Sequence, residues 1–260
     1  MSRTPDRFAA EIIKVLSLRS TFALAAAAIG FSISSAFFLS GRIHLSAYGR
    51  ATYNPLVDEF NTGVWATLML AAACAGAAGM TGEFHSGLIR TTTLAVPGRM
   101  RMLLAKAAAY AAVTGVVGVL AEAGTFGLSR MSLAGTGVRT TLAAGTVASA
   151  LIATALALPV SALLGLAFGT VLRHPAVATA AVVVALALVP GFLGRGGGFE
   201  SVLSDAMPYH AWRTLVGQAA DGPVQPGTRP PSTAVAWMWF LGWPCLAVPI
   251  AGLVLRRRDL

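Results

Sequence analysis

The sequence predicts an all-α, polytopic membrane protein with about six transmembrane helices, and three observations carry that expectation. Of 260 residues, 56% are hydrophobic and only 11% charged, where a soluble domain carries about 25% charge. Mean hydropathy is +0.72. The apolar residues gather into six runs, each near the ~20 residues that a bilayer crossing needs, and the basic residues fall in the intervals between them.

The net charge of +9 raises the question of nucleic acid. That reading needs basic side chains collected on one soluble face. Here they sit beside apolar runs, which points instead to anionic lipid and to chain orientation. Nucleic acid is therefore not expected as a partner, and membrane lipid is. Seventeen of the basic residues are Arg and two are Lys. Cys74 and Cys245 both lie inside apolar runs, so neither a disulfide nor a metal site is expected.

The whole chain, 1–260, reads as one transmembrane domain. Thr4 and Pro5 form a helix start. Phe8, Ile12, Val15 and Leu16 then recur at helical spacing, with Arg7, Glu11 and Lys14 opposite them. That pattern predicts an amphipathic helix over 5–18, lying in the membrane interface. Thr21–Leu39 is the first span; the polar residues before it and its length argue against a cleaved signal peptide.

The second span is Val64–Met80, with Trp65 expected as an interface anchor. The third is Ala107–Leu128. The fourth lies within Leu142–Leu172, near 146–172; Pro159 should kink it, and Gly165 and Gly169 are spaced for close helix approach. Ala176–Phe192 is the fifth span and Thr233–Leu255 the sixth. In the longest loop, Gly194–Pro231, the stretch Ser201–Val216 is expected to be helical at the outer interface. Trp237, Trp239 and Trp243 crowd one half of the sixth span, and Arg256, Arg257 and Arg258 close it.

Charge orients the chain. Both termini, Gly82–Lys106 and the Arg173 turn hold twelve of the nineteen basic residues, against seven in the other loops. Since Lys and Arg near span ends resist translocation, the twelve belong in the cytosol. The expected location is the cell membrane, multi-pass, with both termini cytoplasmic.

Chemistry is sparse. A phosphate-binding loop needs Lys after Gly, and the two lysines, Lys14 and Lys106, follow Ile13 and Ala105. Glu122 is the one ionisable residue well inside a span, a possible intramembrane polar site, and a structural role is favoured for it. His44, His85, His174 and His210 are scattered among loops, with no nucleophile and base at one depth. No catalytic residue, no metal and no cofactor bound by this chain are expected, and the chain does not read as an enzyme.

The segment Gly82–Lys106 is distinctive. Gly82, Glu83, Gly87, Arg90, Thr93, Leu94, Pro97, Arg99, Arg101, Ala105 and Lys106 match a spacing of G-E-x-x-x-G-T-x-R, then T-L, P-x-R-x-R and A-K. In this, and in its six spans and its terminal Arg257, Arg258 and Asp259, the chain resembles the permease subunit of an ABC-2 type transporter, a bacterial exporter family; Leu88 stands where Thr is usual. The resemblance implies a membrane-spanning subunit of an ATP-driven exporter, paired with a second permease chain as a homo- or heterodimer and with a cytosolic ATPase that holds the ATP and Mg. It implies that 82–106 contains a coupling helix. Glu83, Gly87, Arg90 and Pro97 would meet the ATPase, Gly87 by allowing close approach. Arg99, Arg101, Lys106 and Arg256–Arg258 would hold lipid phosphate or fix topology. The alternative is a membrane interaction or immunity protein of the same fold that transports nothing.

Overall fold

The computed structural model describes residues 4–17, 19–46, 52–53, 62–87, 98–133, 139–140, 144–193, 199–218 and 231–257. They are helical but for short connections and one two-residue parallel pairing, β1 (Thr52–Tyr53) with β2 (Arg139–Thr140). The helices are α1 (Thr4–Ser17), α2 (Arg19–Ser46), α3 (Thr62–His85), α4 (Arg99–Leu133), α5 (Ala144–Leu172), α6 (Pro175–Phe192, with a π turn at Val184–Leu188), α7 (Phe199–Asp205), α8 (Pro208–Leu215) and α9 (Thr233–Arg257). Among them α2, α3, α4, α5, α6 and α9 are long and apolar enough to cross a membrane, which makes this an all-α, multi-pass membrane protein.

The spanning helices are longer than their apolar runs. α3 continues through Gly82 and Glu83 to His85, and α4 begins at Arg99, two turns before the apolar run at Ala107. The charged interval 82–106 is thus helical at both ends: its first residues belong to α3 and its last to α4. Residues 88–97, with Arg90 and Pro97, lie outside the described residues, as does Arg258.

α5 is the axis of the bundle: 67% of its membrane-length stretch is buried, against 11% for α2 and 17% for α6. Its closest neighbour is α3, and small residues explain why. A side chain at Gly165 would overlap the carbonyl oxygen of Ala73, and a Cβ at Gly169 would come 2.7 Å from that of Ala77. Gly76 meets Ala162 in the same way from the other helix. The backbones of two helices running in the same direction therefore touch, the close approach that small residues permit inside a membrane. Pro159 lies within α5, which stays continuous across it.

Two expectations about the Trp212 end of the bundle are corrected. Trp65 is no interface anchor; it is 1% exposed, with its ring centroid 6.1 Å from that of Trp212. The expected helix over 201–216 is two helices, α7 and α8, split at Ala206 and Met207. They enter the end of the bundle rather than lie on it: Trp212 is fully buried and donates from Nε1 to Thr154 Oγ1 at 3.3 Å. Trp243 fastens them to α9 by donating to the Ala206 carbonyl at 2.6 Å, and Trp237 donates to Ser149 Oγ at 3.3 Å. An indole has an apolar body and one N–H donor, so each buried ring needs such an acceptor.

Candidate functional site at the Glu83 and Lys106 end of the bundle

At the opposite end of the bundle from Trp212, α3 ends, α4 begins and α1 lies against α4, with Lys14 reaching across to Glu83 of α3. Glu83, in the last turn of α3, is 7% exposed, and Lys106, in the second turn of α4, is 3% exposed. Lys106 Nζ donates to Glu83 Oε1 at 2.8 Å and to Glu11 Oε2 of α1 at 2.8 Å. Lys14 Nζ reaches Glu11 Oε1 at 2.9 Å and Glu83 Oε1 at 3.3 Å. Two carboxylates and two ammonium groups make a cluster of zero net charge. That balance lets three of them be buried, because an unpaired charge in such a place is prohibitive.

Glu11 is the member that helical periodicity misplaces. Periodicity puts it on the polar face of α1, yet it is 5% exposed, while Leu16 on the apolar face is 41% exposed. The buried face runs through Phe8, Glu11, Ile12 and Val15. Val15 joins Met80, Met102, Leu103, Tyr110 and Leu166 in one apolar cluster. Burial pushes the Glu11 carboxyl upward, but Lys106, and Lys14 beside it, more than offset this and hold it below its ordinary value.

A signal for the cluster stood in the composition. Lys14 and Lys106 are the chain's only lysines among nineteen basic residues, and both belong here. A compact ammonium carries three donors on a flexible stem, enough for Lys106 to serve two carboxylates at once.

The other residues singled out by the sequence are distributed differently. Lys106 is sequestered inside the fold, its ammonium taken by two carboxylates, rather than turned to lipid phosphate. Glu83 is likewise turned inward. Gly87 makes no close approach among the described residues; it ends α3 with φ +71°, its N–H directed to the Phe84 carbonyl at 3.4 Å. That left-handed conformation is where glycine is favoured at a helix end. Arg99 Nη1 donates to the Leu255 carbonyl at 3.1 Å, tying the start of α4 to the last turn of α9. Arg101, Arg256 and Arg257 are exposed.

Arg173 closes this end of the bundle. Its guanidinium lies 5.1 Å from the centroid of the Phe84 ring, next in sequence to Glu83. Its φ of +57° makes it the one non-glycine in the left-handed region among the described residues, at the turn from α5 to α6.

Glu122 stands apart from the cluster, in the other half of α4. It is 6% exposed, and Oε1 has no hydrogen-bond partner among the described residues. It shares a helical stripe with Gly115 and Gly118, where a Cβ at Gly118 would come 2.8 Å from the Ala155 carbonyl of α5. On the adjoining stripe Thr125 Oγ1 and Ser32 Oγ of α2 lie 2.6 Å apart. In the α7–α8 pair, His210 Nδ1 donates to the Ser204 carbonyl at 2.9 Å. Burial holds that imidazole below its ordinary value, with Arg213 adding to the effect against the pull of Ser204 and Asp205.

Compared with known protein families and with curated proteins, the chain matches none. Among the described residues no three His, Cys, Asp or Glu side chains come together as a metal site would require. The cluster's groups are two ammoniums and two carboxylates, each bonded to the other kind. What it offers is mechanical: one buried ammonium ties the end of α3, the start of α4 and the side of α1 to each other.

Proposed function

We propose that the chain is the membrane-spanning permease subunit of an ABC-2 type exporter, working with a separate cytosolic ATPase that binds ATP and Mg, and with a second permease chain. The observation that carries this reading is the fastening of Glu11, Glu83 and Lys106 on either side of residues 88–97. A force applied to that connection is delivered to α3 and α4, and to α1 while it is docked, through the two bonds of the Lys106 ammonium. The family-like spacing of Gly82–Lys106 supports the same reading, as does the absence of a lysine placed for a phosphate-binding loop. The twelve-to-seven distribution of basic residues supports a cytoplasmic position for this end of the bundle and for both termini, in the cell membrane.

The burial of Glu83 decides which residue tests the coupling. Reversing Glu83 breaks the internal cluster whatever the partner does, so Arg90 is the residue to change. The tagged chain is purified from its own host's membranes in mild detergent, and co-purifying protein is tested for nucleotide-dependent hydrolysis. The parent should bring down a P-loop ATPase, and Arg90→Glu should lose it or uncouple hydrolysis from export. Equal ATPase recovery and export in both would remove the coupling role of the connection. No ATPase at all, from a monodisperse parent, would favour the non-transporting interaction or immunity protein.

A further inference from the structure

The four charges of the cluster divide into two pairs, one on each side of the contact between α1 and the bundle. Glu11 and Lys14 both belong to α1 and bond to one another at 2.9 Å. Glu83 and Lys106 belong to α3 and α4 and bond at 2.8 Å. Each pair is neutral by itself. Among the described residues two ion pairs cross the contact, Lys106 to Glu11 at 2.8 Å and Lys14 to Glu83 at 3.3 Å.

Separating a buried ion pair is ordinarily very unfavourable because one charge stays behind without a partner. Here neither side is left so. The bundle even holds a replacement acceptor: Glu83 Oε1 accepts both ammonium groups, while Glu83 Oε2 is buried with no partner among the described residues. When Glu11 withdraws, Oε2 can receive the donor that Lys106 loses. α1 also has somewhere to go. Its docked face offers Phe8, Ile12 and Val15, and on the adjoining flank Ile13 is 66% and Leu16 41% exposed. Released, α1 keeps an apolar side for a lipid surface and Lys14 for lipid phosphate.

We infer that α1 is a reversible clasp, which docks on α3 and α4 and releases to the membrane surface as an electrically neutral unit, with Glu11 selecting the docked state. The clasp belongs to this chain alone, whatever the bundle carries and whichever ATPase it meets.

The test is the distance between nitroxides at Ile13 of α1 and Leu104 of α4, both exposed in the docked state. The full chain, without Cys74 and Cys245, is placed in nanodiscs of phosphatidylcholine with phosphatidylglycerol, and the distribution is read by pulsed electron resonance. The parent should show mainly one short, docked distance. Glu11→Gln should raise the longer, undocked population on the order of tenfold, the loss of one charge-assisted hydrogen bond. Glu83→Gln should act in the opposite direction, because Lys106 then has only Glu11 as its carboxylate. A static cluster would instead lose docking in both variants, and that result overturns the clasp. If Glu83→Gln fails to assemble, Glu11→Gln decides alone: a distribution unchanged from the parent overturns the inference.

Discussion

Lys106 and Glu83 lie 23 positions apart in sequence and 2.8 Å apart in space, closing the connection between α3 and α4 at its base. Both are nearly devoid of solvent, so the pair is set by geometry rather than by chance encounters of surface charges. Lys106→Met would leave Glu83 and Glu11 buried with only Lys14 between them. The expected loss is about 3–5 kcal/mol, read as a lower midpoint of thermal unfolding in detergent. A midpoint equal to the parent's would mean that Lys106 stabilises nothing.

The contact between α3 and α5 admits no side chain. Gly165→Leu, which would drive its side chain into the Ala73 carbonyl, should separate the helices and cost at least the ~1–3 kcal/mol typical of overpacking. Gly127→Leu, at a position with nothing within 4 Å, is the control and should behave like the parent. Equal thermal midpoints for the two variants would show that the backbones are not in contact.

Acid should weaken the docking of α1. The Glu11 carboxyl is held below its ordinary value of 4.5 by Lys106 and Lys14, against the effect of burial, and Glu83 and Tyr110 are titratable neighbours of the same cluster. A carboxyl with a depressed folded-state value contributes stability that is complete above the ordinary value and disappears as pH falls through the folded one. A nitroxide at Ile13 should therefore keep constant mobility from neutrality down to about pH 5 and gain mobility below that. Glu11→Gln should abolish this acid step. A step that persists in that variant belongs to another group.

Glu122 is predicted to be structural and dispensable. Its Oε1 is buried without a partner, so Glu122→Met, of similar length, removes a desolvated acceptor. Thermal stability should be unchanged or higher, by up to about 1–3 kcal/mol. Loss of export from an assembled and equally stable Glu122→Met variant would place the carboxyl in the cargo path instead.

The six crossings were legible because long apolar runs have few other uses. Their ends at the charged side were not. Arg99, Arg101, Glu83 and Lys106 read as loop, since single residues display charge but not pairing. Glu83 and Lys106 cancel one another, and Arg99 bonds to Leu255, so the helices continue through them. Glu11 reads as a polar-face residue for the same reason: a hydrophobicity pattern scores it as polar and cannot register the lysine that awaits it 95 positions later. Trp65 read as an interface residue because its partner, Trp212, arrives from a distant part of the chain.

The glycine and alanine contact between α3 and α5 has a mechanical consequence. Elsewhere in a bundle, side chains between helices act as a compliant layer, whose rotamers adjust as the helices slide. Where backbone meets backbone at Gly76, Gly165 and Gly169, that layer is missing, and sliding by even part of a turn would bring Cβ atoms against carbonyl oxygens. The two helices therefore form one stiff strut. Any large movement of the bundle has to be taken up around it, by the lightly buried α2 and α6 and by the irregular backbone at the π turn Val184–Leu188.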